Sequence, residues 1–585
     1  MNPSTDCATV LVDELVRLGC RHAVLSPGSR SAPLAYALAE ADAAGRLTLH
    51  VRVDERSAAF LALGLGKATR TPVPVVTTSG SAPTHLHPAV VEADAGCVPL
   101  LVVSADRPAE LRGVGANQTT DQLKLYGGAV RWAADLEAPS SPPRPEVWRS
   151  TVDRAWSAAC GGLGGDAGPV HLNVPFRDPL APGLDEEAPD DAAALRGRAD
   201  GGPWTRVVGP RGASAESAAW WSESGRAATS EPLDDVPRTL MVLGDLDAPD
   251  ASSRAIEIAR ARGWPVVAEP FGRRGPGVIP HGPLLLASRP DWVSAHAPER
   301  ILVVGRITLT RSLAAVLRTP GAVVEVVSPR QTWPDPGQRA RRVSSWGALA
   351  ACGRVRVEAT RSADDDAWTA AWSAAGDRLR RVMAPLLVWS DDARPDGPAL
   401  AAELLGALPG GARLFVGSSN VARDVDVART VDDLEVMANR GLAGIDGATS
   451  TASGLALASG VPTYALLGDL TFVHDANGLM IGPGEPRPDL TVVVADDRGG
   501  GIFARLEYGQ SGRERFFERI FTARPGVDLA ALCAAYGVDY AAADSPAALA
   551  ESVRRRPQGL RVVHVLLDAD RQRTAMSRVT QALRG

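Results

Sequence analysis

Apolar residues in this chain fall into short unbroken runs that end in Gly, Ser or Asp, and amphipathic stretches separate those runs. A continuous apolar run closed by a turn residue reads as a parallel strand buried on both faces. His22–Ser26 and Thr48–Val53 are such runs in the first third, and Pro74–Ala82, Val98–Pro108 and Gly168–Pro175 are further strand-turn units. Before them, Val10, Leu11, Leu15, Val16 and Leu18 recur at helical spacing, with Ser4 or Thr5 as the expected cap and Gly19 as the stop. Asp54-Glu55-Arg56 opens another helix directly after the second strand.

The same alternation returns twice more. Thr239–Asp245, Pro265–Ala268, Arg300–Gly305 and Val323–Val327 are the strands of a middle segment, and none of them is followed by GxGxxG. Leu414–Gly417, Thr463–Leu467, Leu490–Ala495 and Leu560–Leu567 are strands of a third segment, in which Glu435–Gly447 reads as strand, loop and the start of a small-residue helix. Between the first and middle segments the chain becomes rich in Asp, Glu, Pro, Gly and Ser, as in Asp185-Glu186-Glu187 and Ser214–Ser217, although Trp220-Trp221 argue for some docking. The predicted fold is therefore α/β, with three doubly wound parallel-sheet domains at 1–185, 237–385 and 386–585 and a linker or insertion at 186–236.

Composition changes this picture little. A length of 585 residues with 45% hydrophobic and 22% charged residues suits several globular domains. A net charge of −6, from 62 basic and 68 acidic residues, gives no electrostatic case for nucleic acid. The six cysteines are scattered without a CxxC, so buried free thiols are expected rather than a zinc ribbon or a disulfide framework. No signal-like n-region and no apolar window of about 18 residues is present, so a cytoplasmic protein without membrane insertion is expected.

The chemistry gathers at strand ends. Thr463–Leu467 runs into Gly468-Asp469-Leu470-Thr471-Phe472-Val473-His474-Asp475-Ala476-Asn477, and Leu490–Ala495 into Asp496-Asp497-Arg498-Gly499-Gly500-Gly501-Ile502-Phe503. Asp469 and Asp497 are twenty-eight positions apart, room for one strand-crossover-strand unit that brings both to one sheet edge. Hard oxygen ligands beside glycine-rich backbone suit Mg²⁺ carrying a diphosphate; each Asp alone would serve equally as a helix cap. The turn Pro27-Gly28-Ser29-Arg30-Ser31 offers hydroxyls, N–H groups and a guanidinium to an anion, or is a loop with a solvated Arg. Arg306 and Arg311, after the third strand of the middle segment, are further candidates for an anionic pocket, and Ser419 and Arg423 are expected four apart on one helical face.

Asp54-Glu55-Arg56, Ser79-Gly80, Ala105–Pro108, Gly115–Gln118 and Ser26–Ser31 together resemble the pyrimidine-binding domain of a thiamine diphosphate enzyme, and more narrowly the MenD family of menaquinone biosynthesis. The resemblance implies that 1–185 binds the pyrimidine, 237–385 is a scaffold and 386–585 binds the diphosphate. It implies that Glu55 is catalytic, bonding N1′ of the aminopyrimidine, and that Ser79, Gly80, Gly468, Leu470, Thr471, Ile502 and Phe503 also meet the cofactor. Asp469, Asp497 and Gly499 would hold Mg²⁺ or Mn²⁺, with Asp496-Asp497 standing where many relatives have Asn-Asn. Ser29, Arg30, Arg107, Asn117, Gln118, Arg311, Ser419, Arg423 and Arg440 would face the substrates, 2-oxoglutarate and isochorismate. At Arg311 the following Ser312 replaces a second basic residue of the family. A homodimer or dimer of dimers is implied, with Glu55 of one chain facing Asp469 and Asp497 of another. Two alternatives remain: another thiamine diphosphate enzyme, acetolactate-synthase-like or a 2-oxoacid decarboxylase, and a non-catalytic anion-binding relative.

Overall fold

The computed structural model describes residues 2–183, 195–208, 231–246, 248–354, 361–430, 432–510 and 512–584. Of the expected linker, Asp185-Glu186-Glu187, Ser214–Ser217 and Trp220-Trp221 lie outside the described residues. Among the described residues there are three sheets, and every strand pairing within them is parallel. The first contains β1 (His22–Leu25), β2 (Thr48–Val51), β3 (Val73–Thr77), β4 (Leu100–Asp106), β5 (Trp132–Asp135) and β6 (Pro169–Pro175), ordered β2-β1-β3-β4-β6-β5. The second contains β7 (Thr239–Leu243), β8 (Val266–Ala268), β9 (Arg300–Val304), β10 (Val323–Val327) and β11 (Ala340–Ser344), ordered β11-β10-β9-β7-β8. The third contains β12 (Arg413–Val416), β13 (Glu435–Met437), β14 (Thr463–Gly468), β15 (Leu490–Asp496), β16 (Asp539–Ala542) and β17 (Leu560–Leu566), ordered β13-β12-β14-β15-β17-β16. The first and third sheets share one winding pattern.

The apolar runs fold this way because both of their faces are covered. In β4, Leu101 and Val103 join a core with Trp156, Leu172 and Phe176, while Leu100 and Val102 join one with Phe60, Leu63 and Val75 on the other face. Each such fully buried side chain adds roughly 1.5–3 kcal/mol relative to exposure. The first helix is Pro3–Arg17, capped by Asn2, whose Oδ1 accepts from Ser4 N. This corrects the expected Ser4 or Thr5 cap: Pro3 occupies the first helical turn, where its missing N–H costs nothing, so the cap falls one residue before it. Five of the six cysteines are buried, and all six are free thiols.

The chain divides into two compact units. The described residues of Met1–Ala219, Arg440–Gly460 and Asp475–Pro488 form one, around the first sheet. Those of Trp220–Asn439, Val461–His474 and Asp489–Gly585 form the other, around the second and third sheets. No helix among the described residues is long and apolar enough to cross a membrane.

Candidate active site

In an open parallel sheet, ligands settle outside the carboxyl ends of the strands where the winding reverses. In the first sheet that point lies between β1 and β3. The turn after β1 needs a glycine at position 28, since a Cβ there would lie 2.2 Å from Thr78 Cβ. Ser29 is exposed at this turn, and Arg30 is buried. Arg30 donates through its backbone N to Thr78 Oγ1 (3.3 Å) and through Nη1 to the Phe176 carbonyl (2.9 Å), while its Nε is buried without a hydrogen-bond partner among the described residues. Burial and then the positive charge of Arg107 lower the Arg30 pKa.

Arg107 follows β4 and donates to Ser79 Oγ (3.4 Å) and the Asn117 carbonyl (3.2 Å). Ser79 Oγ donates to the Gln118 carbonyl (3.0 Å), and Gln118 Nε2 returns a bond to the Ser79 carbonyl (3.1 Å). Gly80 has φ +87°, and a Cβ there would press on Gln118 Cγ at 2.8 Å. The first unit thus brings Arg30, Ser79, Gly80, Arg107, Asn117 and Gln118 into one cluster, with Ser29 at its rim. Arg30 already pairs with Asp178 at 3.6 Å, and Arg107 adds a second guanidinium to the cluster, a donor set that suits an acidic ligand.

Glu55 is the first residue of helix Glu55–Thr69, and Asp54 caps it by accepting from Arg56 N (2.9 Å) and Ser57 N (3.2 Å). Asn477 Nδ2 donates to the other Asp54 oxygen at 2.6 Å. Burial raises the Asp54 pKa, but the Asn477 bond and the backbone N–H groups outweigh it and hold the carboxyl below its ordinary value. Below the cap, the wholly buried Asp475 accepts from Ser57 Oγ (3.2 Å) and Ser450 N (2.7 Å) and is pushed up to about 6, chiefly by burial. Glu55 itself is half-buried, and its carboxylate makes no hydrogen bond among the described residues. Arg440 is buried in a loop whose next two N–H groups, Gly441 and Leu442, both donate to Glu92 (2.8 and 2.6 Å).

In the third sheet the reversal lies between β12 and β14. Gly468 pairs with Ala495 in register, which sets Asp469 and Asp496-Asp497 side by side at one edge. Burial, then the charges of Asp497 and Asp496, push Asp469 up to about 8. Asp496 is also raised by burial, but a 2.9 Å bond from His564 Nε2 and one of 2.8 Å from Arg498 N hold it below its ordinary value overall. His564 Nδ1 meets Tyr540 OH at 2.9 Å. Asp497 Oδ2 instead accepts from Asn420 Nδ2 at 3.1 Å. Gly499 has φ +127°, with the Thr522 carbonyl 2.3 Å from where a Cβ would stand. Thr471 is buried, Leu470 N donates to Asp469 Oδ1 (2.8 Å), and half-buried Ile502 and Phe503 follow the glycines. A cavity of about 150 Å³ borders Asp497, Gly501 and Thr522.

Among the described residues no three His, Cys, Asp or Glu side chains are arranged to hold a metal. What the edge offers is Asp469 and Asp497 with glycine-rich backbone, crowded by the negative charge of Asp496. That donor set fits an octahedral divalent cation which takes its remaining oxygens from a diphosphate and water.

Ser419 precedes helix Asn420–Ala428 rather than lying on its face, because its backbone sits at φ +76°, outside the helical region. Arg423 still reaches it, donating to the Ser419 carbonyl at 2.8 Å. In the second sheet the reversal between β7 and β9 is sealed: Asp245 and Arg306 form a backbone bridge and a 3.0 Å ion pair, and a Cβ at Gly244 would lie 2.1 Å from the Arg306 carbonyl. The Arg306 guanidinium is thus engaged by Asp245 at this edge. Arg311 is exposed and makes no hydrogen bond among the described residues.

Asp475, Asn477, Glu92, Asn420 and His564 were not distinguished by sequence. Only Asp475 and Asn477 carried a signal, as polar residues closing the segment that begins at Gly468-Asp469.

Residues 5–125 match the family model described as thiamine pyrophosphate enzyme, N-terminal TPP binding domain, and 416–565 match the corresponding C-terminal TPP binding domain. Over the whole chain, a protein of Kineococcus radiotolerans named 2-succinyl-5-enolpyruvyl-6-hydroxy-3-cyclohexene-1-carboxylate synthase is 46% identical, covering 100% of this chain and 99% of that relative. One of Saccharopolyspora erythraea with the same name is 45% identical at the same coverage. The chain belongs to this synthase family. The family resemblance read from the Asp54–Arg56 and Ser26–Ser31 motifs is therefore borne out over the full length. Crystalline benzoylformate decarboxylase from Polynucleobacter necessarius shares the fold, with a TM-score of 0.66 over 97% of this chain and 99% of its own, at 18% identity.

Proposed function

We propose that this chain decarboxylates 2-oxoglutarate and transfers the remaining four-carbon unit to isochorismate, making 2-succinyl-5-enolpyruvyl-6-hydroxy-3-cyclohexene-1-carboxylate for menaquinone biosynthesis. The full-length likeness to synthases of that name supports the reaction, and the two matched domains support thiamine diphosphate as cofactor. The observation that carries the substrate class is the gathering of Arg30 and Arg107 with Ser79, Asn117 and Gln118 at one sheet edge, through the Thr78 and Ser79 contacts, in a chain of acidic net charge. The chemistry a bound thiamine diphosphate supplies is a nucleophilic ring carbon and an electron sink for the departing carbon dioxide.

The protein's own groups bind, orient and move protons. Glu55, with no hydrogen bond of its own among the described residues, holds a proton at N1′ of the aminopyrimidine. Ser79 and Gly80 would border the same ring. Asp469, Asp497 and Gly499 would hold Mg²⁺ or Mn²⁺, Gly468, Leu470 and Thr471 would line the diphosphate, and Ile502 and Phe503 would pack on the cofactor. Arg30, Arg107, Arg311, Arg423 and Arg440 meet substrate carboxylates, while Ser29, Asn117, Gln118 and Ser419 orient neutral oxygens. Residues 1–185, 237–385 and 386–585 serve as pyrimidine-binding, scaffold and diphosphate-binding domains of a cytoplasmic homodimer or dimer of dimers.

The test is a competition between 2-oxo acids, with protein, thiamine diphosphate, Mg²⁺ and isochorismate held constant. Consumption of 2-oxoglutarate with pyruvate left intact supports the reading. Consumption of pyruvate in preference would point to an acetolactate-synthase-like enzyme or a simple decarboxylase, and no turnover of either to a non-catalytic relative.

A further inference from the structure

The second unit contains a buried acidic device that the proposed reaction does not use. Glu269 follows β8, is 1% exposed, and points its carboxylate at the loop after β9. Oε1 accepts from the backbone N of Thr308 (2.9 Å), Leu309 and Thr310 (2.9 Å), and Oε2 from Thr308 N and Thr308 Oγ1 (both 3.0 Å). Three successive N–H groups converge on one anion, the geometry of a backbone nest. The next residue is Arg311. Thr310 Oγ1 in turn donates to Asp426 Oδ2 (3.3 Å), on the same helix as Arg423.

That helix is anchored from the second sheet's side at two more points, Val427 within it and Arg429 at its C-terminal cap, and the same Arg274 side chain ties back to the end of β8. His281 Nδ1 meets the Val427 carbonyl (2.9 Å), Arg274 Nη1 donates to the Arg429 carbonyl (2.7 Å), and Arg274 Nη2 donates to the Ala268 and Glu269 carbonyls (3.0 and 3.1 Å). Burying carboxylates beside a guanidinium is a costly way to gain stability, since apolar residues of similar volume do as well or better. What such a cluster gives is one fixed geometry. Here it fixes the backbone on which Arg311 sits against the helix that bears Arg423.

We propose that Glu269 is a positioning residue for substrate binding: its carboxylate holds the Thr308–Thr310 backbone so that Arg311 is presented beside the helix carrying Arg423. The inference rests on the reading of Arg311 as a substrate-carboxylate contact, and the test separates the two. Glu269→Gln, Arg311→Ala and the double variant are made in the full-length protein with thiamine diphosphate and Mg²⁺. KM for each dicarboxylate and kcat are measured, together with hydrogen exchange of peptides spanning 306–312. Glu269→Gln should raise one KM about tenfold with kcat held within about twofold, and the double variant should be no worse than Arg311→Ala alone.

Exchange at 306–312 should quicken in Glu269→Gln. Unchanged exchange, multiplying effects in the double variant, or a fall in kcat at constant KM overturns the proposal. Faster exchange with both KM values unmoved in Glu269→Gln and Arg311→Ala alike leaves Glu269 holding the loop and overturns Arg311 as a substrate contact. Should Glu269→Gln fail to fold, Glu269→Asp, which keeps the charge and loses reach, takes its place in the same cycle.

Discussion

Asp475 offers a perturbation whose size follows from the structure. It is wholly buried, joins Ser57 on the helix of Glu55 to Ser450 on helix Ala448–Leu457, and is raised from 3.8 to about 6. A group raised on folding contributes stability that is fully present below its unfolded value and is lost as pH climbs through the folded value. A shift of about two units at ~1.36 kcal/mol each makes that loss on the order of 3 kcal/mol between pH 4 and pH 7. Asp475→Asn is neutral throughout and lacks this component. It also keeps only one acceptor oxygen for two donors, a constant cost of about 1–3 kcal/mol. Melting temperatures of wild type and Asp475→Asn are compared across that range, so that every other titrating group cancels in the difference. Wild type should lose ground to the variant as pH rises. A difference that stays flat from pH 4 to pH 7 would refute the reasoning.

Three further outcomes follow. Glu55→Gln should abolish product formation while thermal stabilisation by thiamine diphosphate and Mg²⁺ persists, because the proposed diphosphate contacts do not include Glu55; unchanged turnover would remove Glu55 from the mechanism. Arg107→Ala, which deletes the donor to Ser79 and Asn117, should raise KM for a dicarboxylate at least tenfold, about 1.4 kcal/mol or more, in steady-state assays. Gly501→Ala would place a Cβ 2.0 Å from Asp497 Oδ2, so Mn²⁺ affinity in the presence of thiamine diphosphate, read by electron paramagnetic resonance, should fall at least tenfold while melting temperature changes little.

The parallel α/β fold was legible because its central strands are covered on both faces and so are written as unbroken apolar runs. The edge strands β5, β11 and β16 were not. Trp132–Asp135 and Ala340–Ser344 alternate between partly buried and exposed residues, and Ala340–Ser344 carries two arginines, so neither resembles the core runs. The Asp469–Asp497 pairing was readable from spacing, since adjacent parallel strands impose it. The roles of Asp475 and Glu269 were not, because their partners lie 418 and about 40 residues away in sequence and only the folded chain brings them together. Arg306 looked as available as Arg311 until the Asp245 bridge closed the strand ends around it.

The most direct test of the account is the mass of the product formed by the pure protein from thiamine diphosphate, Mg²⁺, isochorismate and uniformly carbon-13-labelled 2-oxoglutarate. The account predicts one labelled carbon dioxide released for each product molecule, and a product equal to isochorismate plus the four labelled carbons that remain. Labelled carbon dioxide accompanied by free succinic semialdehyde and intact isochorismate would contradict it.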